Sequence, residues 1–124
     1  MVEIVTFLHA SLLIANLETS RAFYEGGLGL VPSPKRPTMS FEGVWYDIGS
    51  QQIHLMVLPD PDKNLDRPEH GGRDYHIALG VKNFEALRAA LEKTNISYTL
   101  SRSGRNALFC RDPDGNALEF VEVS

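Results

Sequence analysis

The feature that most narrows what this 124-residue chain can fold into is an internal repeat. Laying His9 on His76 also pairs Leu12 with Leu79, Ile14 with Val81, Asn16 with Asn83, Glu18 with Glu85, Arg21 with Arg88, Ala22 with Ala89 and Glu25 with Glu92. Near the end of each half, Gly-Ser-Gln-Gln-Ile-His-Leu at 49–55 lies on Asp-Gly-Asn-Ala-Leu-Glu-Phe at 114–120. Self-similarity of this kind means one folding unit used twice. In each half an alternating strand pattern gives way to an asparagine suited to a helix N-cap, Asn16 or Asn83, and then to a helix with one buried face.

The pattern predicts helices from about Leu17 to Tyr24, stopped by Gly26-Gly27, and from Phe84 to Lys93. Strands are expected near 38–48 and 51–58 in the first half. In the second they are expected near 97–101, 105–110 and 117–123, with Asp114-Gly115 making a hairpin turn. The apolar start, MVEIVTFLHASLLI, reads as a strand, being too short and polar to span a bilayer. The resulting division is a first module at 1–58, a Pro-rich linker at 59–73 and a second module at 74–124, all within one domain.

Side-chain parity then singles out four residues, because successive side chains of a strand face opposite sides. Leu8, Leu12 and Ile14 oppose His9, and Ile77, Leu79 and Val81 oppose His76. Ile53, Leu55 and Val57 oppose His54, and Leu118 and Phe120 oppose Glu119. On the face of His76 stand only Ala78 and Gly80, as an open cleft would require. Taken singly, each polar group reads as a solvent-facing residue of a half-wet sheet. Their equivalence in the repeat changes this, since an approximate two-fold axis would bring His9, His54, His76 and Glu119 towards one point. Three imidazoles and a carboxylate suit a divalent transition metal (zinc, nickel, cobalt, iron or manganese) better than magnesium or calcium.

Bulk properties exclude other classes. A net charge of −4 without a long basic run disfavours nucleic acid, whose binding needs concentrated Lys and Arg. The one cysteine, Cys110, permits no internal disulfide, zinc finger or iron–sulfur cluster, and fits a reducing, cytoplasmic setting. Cys110 itself reads as a buried strand residue. The expected partner is a small molecule, with no membrane.

The paired module, the H-x-x-L strand with its Asn-capped helix, Tyr-His-Ile-Ala-Leu at 75–79 and Asp-Pro-Asp-Gly-Asn-x-Leu-Glu-Phe at 112–120 together resemble the vicinal oxygen chelate superfamily. That is the glyoxalase, bleomycin-resistance and extradiol-dioxygenase group, and the resemblance spans essentially the whole chain. It implies an α+β fold of two paired βαβββ modules forming a curved sheet cleft, a metal held by His9, His54, His76 and Glu119, and a homodimer. It also implies that Glu119 is both ligand and catalytic base. One position departs from bacterial glyoxalase I, where a carboxylate stands in place of His54. Three neutral imidazoles and one carboxylate leave a dication with about +1 formal charge, making it the stronger Lewis acid.

The activity this implies is that of a metal-dependent, glyoxalase-like lyase or isomerase moving a proton on a small chelated carbonyl compound. The alternatives are an extradiol-type dioxygenase, an antibiotic-modifying thiol transferase and a non-enzymatic, small-molecule-binding resistance protein. Four protein ligands count against the dioxygenase, which keeps three positions open. For substrate contact the candidates are Arg102 and Arg105, flanking Ser103-Gly104 at a cleft edge, and Tyr46, expected to wall the cavity while Trp45 packs in the core. Arg67, His70 and Arg73 could cap the cleft from the linker.

Overall fold

Each helix begins where an asparagine can satisfy its free amides. The side chain of Asn16 accepts from Thr19 N, and that of Asn83 from Ala86 N, so both caps close the first turn by the same contact. The structure, a computed structural model, describes residues 1–124. In chain order the main elements are β1 (His9–Ile14), α1 (Leu17–Arg21), β2 (Gly43–Ile48), β3 (Gln51–Val57), β4 (His76–Val81), α2 (Phe84–Lys93), β5 (Tyr98–Leu100), β6 (Ala107–Arg111) and β7 (Ala117–Glu122).

The two halves build the same sheet. The first strand of each module pairs in parallel with its last, β1 with β3 and β4 with β7, giving the orders β1-β3-β2 and β4-β7-β6-β5. The second module is a complete βαβββ unit. The first has three strands, and its missing one is reduced to a single bridge between Pro32 and Tyr46. Pro32, Pro34 and Pro37 fall in this stretch, and proline lacks the N–H and the backbone freedom a ladder needs.

Two further departures from the sequence reading have local causes. Past Arg21, helix α1 continues as a π-helical turn, Ala22–Gly27, with Leu28 N donating to Phe23 O. The wider turn lets the successive aromatics Phe23 and Tyr24 both face the core. At the start of the chain, residues 1–8 do not form the expected strand. They are open, with Val2 89% and Ile4 90% exposed, and apart from Gln52 N donating to Leu8 O no strand of the chain pairs with them to complete a ladder.

The aliphatic faces of both sheets and both helices share one core that includes Ile14, Tyr24, Ile53, Leu55, Leu91, Leu108, Leu118 and Phe120. The Asp112–Asn116 turn fastens one module to the other. Asp112 is 5% exposed and accepts from Tyr24 Oη at 2.8 Å, Asn116 Nδ2 at 2.9 Å and the backbone amides of Asp114 and Asn116. Asp114 accepts from Ala15 N, and Asn116 Nδ2 also donates to Leu13 O. Gly115, at φ +87°, occupies the left-handed position the turn requires.

Removing the Asp112 side chain leaves several buried donors unmatched, each costing about 1–3 kcal/mol. Asp112→Ala should therefore lower unfolding stability by about 3 kcal/mol in urea titration, and a loss below about 0.5 kcal/mol would contradict this role. Cys110 is 4% exposed, and burial pushes its thiol up to about 12, so it should react with an aromatic disulfide reagent only on unfolding. Rapid stoichiometric labelling of the native chain would count against this.

Candidate functional site

The faces of the two sheets turned away from the core carry the polar residues. On the first, His9 and Ser11 of β1, Trp45 and Asp47 of β2, and Gln52, His54 and Met56 of β3 line one broad cavity of about 880 Å³. Strand register sets this layout, with Trp45 opposite His54 and Asp47 opposite Gln52.

Three rings stack on this face. Trp45 and His54 are parallel within 1° with centroids 3.9 Å apart, and His9 covers the other face of His54 at 4.0 Å and 14°. His54 Nε2 lies 2.8 Å from Gln52 Oε1, and Gln52 Nε2 donates to Asp47 at 2.9 Å. Burial, with His9 and Arg36 nearby, holds His54 below the ordinary histidine range, so it is neutral near pH 7. Imidazole lone pairs lie in the ring plane, so stacked rings present nitrogens side by side. Ligation of one ion by both would require the exposed ring of His9 to turn out of the stack.

On the second sheet His76 and Glu119 meet directly. His76 Nδ1 donates to Asp74 O at 2.8 Å, which leaves Nε2 facing Glu119 Oε1 at 3.1 Å. With Nδ1 already carrying its proton, Nε2 and the carboxylate are two acceptors, stable at this distance only with a proton or a cation between them. A metal-binding histidine usually donates one ring N–H to a carbonyl or carboxylate and keeps the other nitrogen for the metal, and His76, with Nδ1 on Asp74 O and Nε2 beside a carboxylate oxygen, fits that pattern. Arg105 Nη2 donates to Glu119 Oε2 at 2.9 Å, so Glu119 keeps Oε1 for the site. Phe109, opposite Glu119 in register, packs against both His76 and His70.

The four expected ligands thus fall into two pairs, His9 with His54 and His76 with Glu119. No three His, Cys, Asp or Glu side chains of the chain group closely enough to hold a metal ion, so one chain does not bring all four to one point. Of the substrate candidates, Arg105 stands at Glu119, whereas Arg102 is exposed in the same loop without joining that pairing. Tyr46 does not wall the cavity. It is fully buried on the core side, with its hydroxyl donating to Glu25 Oε2 at 2.8 Å, and it is Trp45 that faces the cavity. Parity already held this answer, because Val44, Tyr46 and Ile48 form the aliphatic set of β2. Arg67 pairs with Asp74, as does Arg111, which ties the linker to the second module rather than leaving it free. Gln52 and Asp47 escaped the sequence reading although both share the polar parity of their strands.

Comparison with known proteins agrees with this architecture. The chain is 30% identical over 116 residues to Glyoxylase I 4 of Arabidopsis thaliana, a match covering 90% of this chain and 67% of that protein. It is 30% identical over 126 residues to a lactoylglutathione lyase of Haemophilus influenzae, covering 93% and 90% of the two chains. Among solved structures it superposes on a lactoylglutathione lyase from Agrobacterium tumefaciens with TM-score 0.67 and 22% identity, covering 97% of this chain and 95% of the other. A fosfomycin resistance protein from Listeria monocytogenes gives TM-score 0.72 at 13% identity, covering 98% and 94%. At these identities the two structures speak for the fold alone. Residues 6–120 match the family model described as the Glyoxalase/Bleomycin resistance protein/Dioxygenase superfamily, and with two curated relatives at 30% identity this chain belongs to that superfamily.

Proposed function

We propose that this protein is a metal-dependent lyase or isomerase of the glyoxalase type, moving a proton on a small carbonyl compound chelated to a divalent transition metal. The observation that carries the reading is His76 Nε2 facing Glu119 Oε1 at 3.1 Å with Nδ1 already committed to Asp74 O. The two relatives at 30% identity, a glyoxylase I and a lactoylglutathione lyase, support the reaction class.

The ligands are His9, His54, His76 and Glu119, drawn from two chains. Three features support pairing of chains. The ligands form two half-sites. The segment before His9 exposes Val2, Ile4, Val5, Phe7 and Leu8. The chain also exposes 8274 Å², against about 6,600 Å² expected of a folded monomer of its mass. The excess, about a quarter, is the scale an obligate dimer buries on each partner. A homodimer would place the first sheet of one chain against the second sheet of its partner and complete two sites. No helix is long and apolar enough to cross a membrane, and a single unpaired buried thiol is in keeping with a cytoplasmic protein.

A bound dication would polarise the substrate carbonyl and acidify the adjacent C–H. Glu119, its Oε2 held by Arg105, is the base that would take and return that proton, and its Oε1, turned toward His76, would have to release the metal to do so. Ala78, a small residue on the exposed face of β4, leaves room beside His76 for the substrate, while Val123 packs over Gly80. Trp45 lines the other half-site, stacked on His54.

Glu119→Gln should lower kcat at least 100-fold on thiol adducts or hydroxycarbonyl compounds with an unchanged circular dichroism spectrum, and near-native turnover would refute the assignment of the base. Shared sites are tested by mixing two inactive chains, His9→Ala/His54→Ala and His76→Ala/Glu119→Gln. Random pairing makes half the dimers mixed, each with one intact site, so the mixture should regain about a quarter of the native metal content. A dimer whose mixture binds no metal would show that each site lies within one chain.

A further inference from the structure

His54 is held more completely than a ligand needs for packing alone. Both faces of its ring are covered, by Trp45 at 3.9 Å and His9 at 4.0 Å, so only its edge can reach a partner. At that edge stands a chain of three groups whose hydrogen-bond direction admits one solution. The Asp47 carboxylate only accepts, so Gln52 Nε2 donates to it at 2.9 Å. Gln52 therefore turns Oε1 to His54 Nε2 at 2.8 Å, and that oxygen also only accepts. The proton between them belongs to His54. A neutral imidazole has one N–H, which leaves Nδ1 as its lone pair. β-sheet register enforces the chain, because Asp47 and Gln52 are directly opposed and His54 follows two residues along the same face.

We infer that Asp47 and Gln52 are positioning residues that fix His54 as its Nε2–H form, make Nδ1 its ligating atom, and bring a carboxylate's charge to a position that holds an imidazole. The ligation half of this rests on the metal reading above; the tautomer half does not. The two modules then use opposite nitrogens, since His76 donates through Nδ1 to Asp74 O and presents Nε2. An imidazole backed by a carboxylate is a more basic donor, so the relay offsets part of the charge lost by not having a carboxylate at residue 54.

Long-range ¹H–¹⁵N NMR of the metal-free protein reads the His54 tautomer directly. The native chain should show the Nε2–H form. Gln52→Met, similar in size but without a strong acceptor, should lose that preference, and Gln52→Glu, which restores an acceptor oxygen, should keep it. An Nδ1–H form in the native chain, or an unchanged tautomer in a folded Gln52→Met variant, overturns the inference. Asp47→Asn keeps an acceptor and removes the charge. With Co²⁺ alone as probe, its affinity should fall about 10-fold, the low end for loss of a group that orients a ligand, and unchanged affinity overturns the charge relay. Failure of the native chain to bind Co²⁺ would sink the metal reading, and the ligation half with it, whatever the tautomer spectrum shows.

Discussion

The buried carboxylate of Asp112 is where two modules become one core. Its oxygens take the hydroxyl of Tyr24 from the first module and the amides of the second module's own turn. Asp114 and Asn116 reach on to the backbone at the end of β1. These contacts fix the angle at which each sheet turns its polar face. Loss of the turn would leave the shared apolar core as the main contact between the modules. The Asp-Pro-Asp-Gly-Asn sequence therefore acts through architecture and contributes no group to the ligand pairs.

The same fixed angle explains why the ligands form pairs and not a quartet. Within one chain both aliphatic faces are spent on the shared core, so the polar faces look outward. The apolar residues ahead of His9 are left uncovered as well. The half built on β4 and β7 is already arranged for a cation. The half built on β1 and β3 is organised as a stack, with His54 immobile and His9 at the open end, so adjustment on binding falls on His9.

Much of the fold was legible in the residues because it follows from period and capping. Helix α2 runs over Phe84–Lys93 as its pattern required, and the parity of Ile53, Leu55, Leu118 and Phe120 placed them in the core. What escaped were features that depend on what lies beside a segment. Residues 1–8 form an apolar stretch that reads as a strand, yet a strand exists only where a neighbour completes the ladder. The prolines at 32, 34 and 37 removed a strand that the repeat implied. At the candidate site, periodicity placed His9 beside His54 and His76 beside Glu119, but facing the same way is not meeting, and no three such side chains of the chain come together. Tyr46 and Trp45 were exchanged because the alternation of Val44, Tyr46 and Ile48 was not applied to β2.

Placing aliphatic and polar residues on opposite sides of the same strands has an evolutionary consequence. The stability of this chain resides in side chains that point one way and in the Asp112 turn, while its chemistry resides in side chains that point the other way and touch little of the core. Substitutions at the ligand faces can therefore change donor set, charge or cavity wall at small cost to folding. Such a scaffold is free to vary its polar faces while keeping its shape.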